Sequence, residues 1–144
     1  IIKTNRSLCP LVNNLDLFGD RWTLVIIRDL FIGKKSFREF LESPENISTS
    51  VLSNRLQLME VEGIALHVLS ATDKKVKLYY LTDLGIDLFP VLYEMVHWSM
   101  RNLTKDFYPI AKDLFETHKS FTNNQTITMN QDNYKEKREE LLAF

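Results

Sequence analysis

Ser48-Thr49-Ser50-Val51-Leu52-Ser53-Asn54-Arg55-Leu56-Gln57-Leu58-Met59 is the stretch whose reading decides the fold. Leu52, Leu56 and Met59 recur at helical spacing and leave Thr49, Ser50, Ser53, Asn54 and Gln57 together on the other face. That outer face is small, uncharged and rich in hydrogen-bonding groups. Short polar side chains let a helix approach base edges and phosphates without presenting carboxylates to a polyanion, so the surface suits a DNA major groove. Ser48 is the natural cap of this helix and Gly63 its stop. Just upstream, Phe37, Phe40 and Leu41 form the inward side of a short helix that Pro44 brings to an end. The pair reads as a helix-turn-helix, with the segment from Ser48 as its recognition helix.

Residues 64–70 and 76–81, rich in Val, Leu and Tyr, read as two β-strands joined through Ala71-Thr72-Asp73-Lys74-Lys75, a hairpin with a basic tip. Toward the N-terminus, Pro10 opens a helix to which Leu11, Val12, Leu15 and Phe18 give a buried side, up to Gly19. Asp20 caps a second helix, apolar nearly all round from Trp22 to Phe31 and ended by Gly33, as expected of a central core element. Beyond the hairpin, Thr82 caps a long helix with Leu84, Leu88, Leu92, Met95 and Val96 in a stripe, and Pro90 predicts a kink in it. Tyr108, Ala111, Leu114, Phe115 and His118 predict a further helix opening at Pro109. Residues 120–133 have little to bury and read as a polar linker, and Tyr134 to Phe144 as a short charged helix. The expected fold class is mainly α with a small β-hairpin.

A chain of 144 residues with 44% hydrophobic and 26% charged residues is that of a globular protein with one core. No run reaches membrane-spanning length, since even the apolar stretch from Trp22 to Ile32 is interrupted by Arg28 and Asp29; with no secretory signal pattern at the start, a cytoplasmic location is expected. The net charge of −1 excludes bulk electrostatic attraction to nucleic acid, so binding must come from local patches. Lys34, Lys35 and Arg38 make one; Lys74, Lys75 and Lys77 make another. The single cysteine, Cys9, excludes an internal disulfide and cannot alone assemble a thiolate metal site, while His67, His97 and His118 are too scattered for a helix-spaced pair. No metal or other cofactor is expected. Only four glycines, no phosphate-cradling loop, no His-Glu-x-x-His and no nucleophile elbow argue against an enzyme.

Several groups of residues carry a closer likeness: Cys9-Pro10, Gly19-Asp20-Arg21-Trp22-Thr23-Leu24, Ile27-Arg28-Asp29-Leu30, Phe37-Arg38-Glu39-Phe40, Leu52-Ser53-Asn54-Arg55-Leu56, Glu62-Gly63-Ile64, Tyr79-Tyr80-Leu81-Thr82 and Leu88-Phe89-Pro90-Val91-Leu92. In order and separation they resemble the HxlR family of winged helix-turn-helix bacterial transcriptional regulators, relatives of the MarR group. The resemblance implies a homodimer built by the first and the long C-terminal helices, presenting two recognition helices to a near-palindromic double-stranded operator, with repression the commoner mode. It further implies that the Cys-Pro cysteine can answer oxidants or electrophiles. On this basis residues 1–103 are expected to form the DNA-binding and dimerisation domain. The tail beyond is longer than the family's usual ending and the resemblance assigns it no role; for residues 104–144 a helical extension with a polar linker, associated with the dimer, is the plain expectation. His67 departs from the family, which carries a fully charged basic residue there; one phosphate contact is then lost or moved to Lys77.

The DNA-contacting candidates are therefore Lys34, Lys35, Arg38, Ser48, Thr49, Ser50, Ser53, Asn54, Arg55, Gln57, Lys74, Lys75 and Lys77, with Ser50, Ser53 and Asn54 foremost. Arg55 sits nearer the buried seam, and its reading stays open between a phosphate contact and an ion pair with an acidic residue of another helix. The wing lysines either follow the minor groove or simply keep an exposed hairpin soluble. Cys9 stands at the cap of the first helix, where the helix dipole favours negative charge and the thiolate is the reactive form; the other reading is an inert thiol. A small-molecule effector or an oxidant is the expected signal. The competing function is a winged-helix module that has lost DNA binding and docks another protein.

Overall fold

A computed structural model describes residues 6–109, 115–116 and 120–143. The chain divides into two compact units, Ile1–Thr82 and Asp83–Phe144.

The first unit runs α1 (Pro10–Phe18), α2 (Thr23–Ile32), α3 (Phe37–Leu41), α4 (Thr49–Val61), β1 (Ala65–Leu69) and β2 (Lys77–Leu81). Pro10 occupies the first turn of α1, where its missing N–H costs nothing. The expected buried side of α1 is corrected: Phe18 is buried, but Leu11 and Leu15 are 65% and 52% exposed, and Leu8 just before them 89%. In a single copy this stripe faces outward. The cap position of α2 is Trp22 and not Asp20, but the Asp20 carboxylate still serves the start of the helix, accepting from the N–H groups of Trp22 at 2.9 Å and Thr23 at 3.0 Å and from the Thr23 hydroxyl. Gly33 ends the helix with φ of +113°, a backbone that a side chain would strain.

Ile26, Ile27 and Leu30 of α2 lie in the core with Phe40 of α3, with Leu52, Leu56 and Met59 of α4, and with Ala65, Tyr79 and Leu81 of the hairpin. The strands are antiparallel, Ala65 opposite Leu81 and Leu69 opposite Lys77. An isolated bridge joins Ser36 to Leu78, and the Tyr79 N–H donates to the Lys35 carbonyl at 2.8 Å, so the hairpin is tied to the start of α3. At the hairpin's base the Thr82 hydroxyl donates to the carbonyls of Gly63 and Ile64, fastening it to the end of α4.

In the second unit the described helices are α5 (Asp83–Ile86), α6 (Phe89–Asn102) and α7 (Asn123–Leu142). The single long helix kinked at Pro90 is thus corrected to two helices, with Pro90 in the first turn of α6. Proline cannot donate to the carbonyl four residues back, and the Ile86 carbonyl accepts instead from Gln131 Nε2 at 3.1 Å. The polar linker over residues 120–133 is also corrected. Thr122 caps α7, its hydroxyl accepting from the Gln125 N–H while the Gln125 side chain accepts from the Thr122 N–H, and the helix runs on through the charged segment from Tyr134.

The inward stripe of α7 is largely polar, which is why hydropathy does not reveal it: Thr126 and Tyr134 are buried, the Tyr93 hydroxyl donates to Asn123 Oδ1 at 3.0 Å, and Arg138 pairs with Asp83 at 2.7 Å. Phe89 stacks on Phe115 with ring centroids 5.4 Å apart. The helix expected from Tyr108 to His118 falls mostly on residues outside those described, as does Phe144.

Candidate nucleic-acid interface

Helix α4 owes its placement to its own sequence. Ser48, in extended conformation, accepts from the Val51 N–H at 3.3 Å and starts it, and the buried Leu52, Leu56 and Met59 fix which face turns in. Thr49, Ser50, Ser53, Asn54 and Gln57 are consequently all exposed, as expected. Ser36 begins α3 with a reciprocal pair in which its hydroxyl accepts from the Glu39 N–H and Glu39 accepts from the Ser36 N–H. Burial alone would raise the Glu39 pKa, but the Ser36 hydroxyl and the N–H groups of Ser36 and Lys35 hold it below the ordinary value.

Lys35 and Arg38 are exposed at the start of α3, Arg38 with a 3.5 Å contact to Glu42 one turn on. Lys74 and Lys75 at the hairpin tip and Lys77 at the start of β2 are all exposed, and the Asp73 carboxylate accepts from the Lys75 N–H at 3.0 Å in the tip. The basic groups thus lie on α3 and on the wing, before and after α4 in the same unit.

Two basic candidates are engaged elsewhere. Arg55 Nη1 lies 3.6 Å from Asp20 Oδ1, an ion pair with the residue at the corner before α2. Lys34 Nζ donates to Ser43 Oγ at 2.6 Å. The Ser43 hydroxyl in turn donates to Oδ2 of Asp29, which is 2% exposed, and Arg28 bridges Asp29 at 2.8 Å to Glu45. Glu45 is held below its ordinary pKa first by its hydrogen bond from Arg28, against a smaller effect of burial. Sequence reading missed this cluster because Ser43 and Glu45 look like ordinary turn residues; a charged Asp29 inside an apolar helix was the available signal. It also missed the partner of His67, whose Nδ1 meets Glu60 of α4, so this side chain, from which the family's phosphate contact was expected to be lost, is engaged with the helix before it.

Cys9 is exposed and precedes α1 in extended conformation. Its carbonyl accepts from Asn13 Nδ2 at 2.9 Å and its N–H donates to Ser7 Oγ at 3.1 Å, so backbone bonds on both sides fix the residue and leave the thiol in solvent. Among the described residues no helix is long and apolar enough to cross a membrane.

Comparison with known proteins agrees with this geometry. Residues 17–107 match the family described as HxlR-like helix-turn-helix. The chain is 29% identical over 120 residues to the HTH-type transcriptional regulator YybR of Bacillus subtilis, covering 83% of this chain and 88% of that one. It is 37% identical over 95 residues to the HTH-type transcriptional regulator YodB of the same organism, covering 65% and 84%. The reduced form of YodB superposes with a TM-score of 0.57 at 32% identity, over 69% of this chain and all of that one, and YodB structures in diamide-treated and quinone-bound forms are similar as well. The family match extends from the end of α1 through the helix-turn-helix, the wing and α6, and the protein belongs to the HxlR-like helix-turn-helix family of transcriptional regulators.

Proposed function

We propose that the protein is a sequence-specific, double-stranded-DNA-binding transcriptional regulator, a cytoplasmic repressor that acts as a homodimer and catalyses no reaction. The observation that carries the reading is the exposed polar face of α4, five small uncharged side chains held outward by three buried apolar ones. In the complex α4 enters the major groove with Ser50, Ser53 and Asn54 nearest the base edges, while Lys35, Arg38, Lys74, Lys75 and Lys77 meet phosphates. Leu8 just before α1, Leu11 and Leu15 along it, and Met95 and Trp98 on α6, are apolar side chains more than half exposed in one copy, and a second copy covers them.

The signal is an oxidant or electrophile that reaches the exposed Cys9. With one cysteine per chain, oxidation by diamide joins this thiol to a small thiol or to the Cys9 of the second copy: the two thiols together give up two protons and two electrons, and diamide is reduced to its hydrazine. The similarity to YodB, a regulator with diamide-treated and quinone-bound forms, supports this choice.

The test is electrophoretic shift with the DNA upstream of the protein's own gene, under salt titration. Single alanine replacements of Lys74, Lys75 and Lys77 should each weaken binding on every duplex alike and lower the salt slope by about one unit. Cys9→Ser should bind normally and ignore diamide; an equal response in both proteins removes Cys9 from the mechanism, and absence of any shift removes DNA binding.

A further inference from the structure

The Lys34, Ser43 and Asp29 side chains form a hydrogen-bonded relay of fixed polarity. An ammonium can only donate, so the 2.6 Å contact from Lys34 Nζ makes the Ser43 oxygen an acceptor and leaves the hydroxyl proton for Asp29 Oδ2. Ser43 and Asp29 are 3% and 2% exposed, and Lys34 Nζ itself lies 3.9 Å from the Asp29 carboxylate. Arg28 closes the cluster from the other side, donating to Asp29 and to Glu45. Two cations and two carboxylates therefore balance within one small volume. Every acceptor in it is either at the end of α2 or in the turn between α3 and α4, and the next residues, Asn46 with φ of +59°, Ile47 buried and Ser48 capping, lead straight into α4.

We infer that Lys34 is a positioning residue for sequence recognition and not a phosphate contact: through Ser43 and Asp29 it fixes the helix-turn-helix turn, and so the depth and angle at which α4 meets base edges. The inference rests on the DNA-binding reading given above. It separates Lys34 from its neighbour Lys35, whose side chain is exposed. A phosphate lysine contributes to all duplexes equally. A positioning lysine contributes only where base contacts depend on the placement of α4.

The experiment uses two probes, a duplex enriched by the full-length protein from a random-sequence pool and a scrambled duplex of the same length and composition. Lys34→Met keeps the aliphatic stem and drops the ammonium; Ser43→Ala removes the hydroxyl that it reaches; the double variant joins both. Each single variant should lose about tenfold on the enriched duplex and little on the scrambled one, at an unchanged salt slope. The double variant should lose no more than the worse single one, because both act through one relay. Lys35→Met supplies the contrast, losing similarly on both duplexes with a slope lower by about one unit. The proposal is overturned if Lys34→Met behaves like Lys35→Met, if it changes nothing, or if the two single losses add. Failure of the wild type to prefer any duplex overturns the DNA-binding reading itself, and is told apart by appearing before any variant is made. Thermal unfolding of each variant shows that a folded protein is being compared.

Discussion

The Arg55 guanidinium stands 3.6 Å from the Asp20 carboxylate, and through this pair α4 is fastened to the corner at which α2 begins. Burial opposes the charge on Asp20, but the Thr23 hydroxyl, the Trp22 and Thr23 N–H groups and Arg55 outweigh it and hold the pKa below its ordinary value. Arg55→Ala should lower the unfolding free energy by about 1 kcal/mol and leave the salt slope of DNA binding unchanged. Asp20→Ala should cost about 1 kcal/mol more, since it also removes the acceptor for two N–H groups at the start of α2. Urea denaturation reads both. A slope lower by about one unit in Arg55→Ala would move this residue back to the phosphates.

Acid should destabilise the first unit through three carboxylates. Asp20, Glu39 and Glu45 each have a pKa lowered by folding, from ordinary values of 3.8, 4.5 and 4.5. A lowered folded-state pKa means that the unfolded chain takes up protons first, so the contribution is complete above the ordinary value and is lost as pH falls through the folded one. Unfolding free energy should be level above about pH 5 and decline below it. Glu45→Gln should flatten part of that decline. An equally steep loss in Glu45→Gln would show that its hydrogen bond with Arg28 does not contribute.

Gly63 closes α4 with φ of +71°, and no atom beyond its own and the two adjoining residues lies within 4 Å of where a side chain would begin. Strain there is purely of the backbone. Gly63→Ala should therefore cost about 1 kcal/mol, and Gly63→Asn less, because asparagine tolerates the left-handed region. Equal costs for the two would point to an unseen steric cause.

Leu11 and Leu15 should decide the assembly state. Replacing either by glutamate places a carboxylate where the second copy is proposed to pack, and light scattering should show the dimer weakened at least about tenfold. Circular dichroism should stay unchanged, since both side chains are exposed in the single chain. An unaltered dimer would place the interface elsewhere.

What could be read from the sequence follows the physics of each element. Helix α4 was legible because its apolar residues keep helical spacing and its cap is a serine, and the hairpin because its strands are rich in Val, Leu and Tyr. The α5 and α6 break was half legible: Pro90 was seen, but whether proline kinks a helix or starts one depends on what else satisfies the Ile86 carbonyl, and Gln131 is far away in sequence. Helix α7 escapes because Asn123 and Gln131 hold it by hydrogen bonds and the buried Thr126 is polar, which leaves no apolar stripe; the Thr122 and Gln125 pair is the local sign of its start. In the candidate site, the polar face and the exposed lysines were plain from residue type. The engagement of Lys34 and Arg55 was not, since Ser43 and Asp20 become their neighbours only after folding.

The most direct measurement of the central claim is hydroxyl-radical footprinting of the protein on a duplex selected from a random pool. Two α4 helices reading two grooves should protect a pair of inverted half-sites one helical turn apart, about 10–10.5 base pairs centre to centre or a multiple of it. Asn54→Ala should abolish the sequence preference while leaving the footprint on the backbone. A single asymmetric footprint, or a preference that survives Asn54→Ala, Ser53→Ala and Ser50→Ala together, would contradict it.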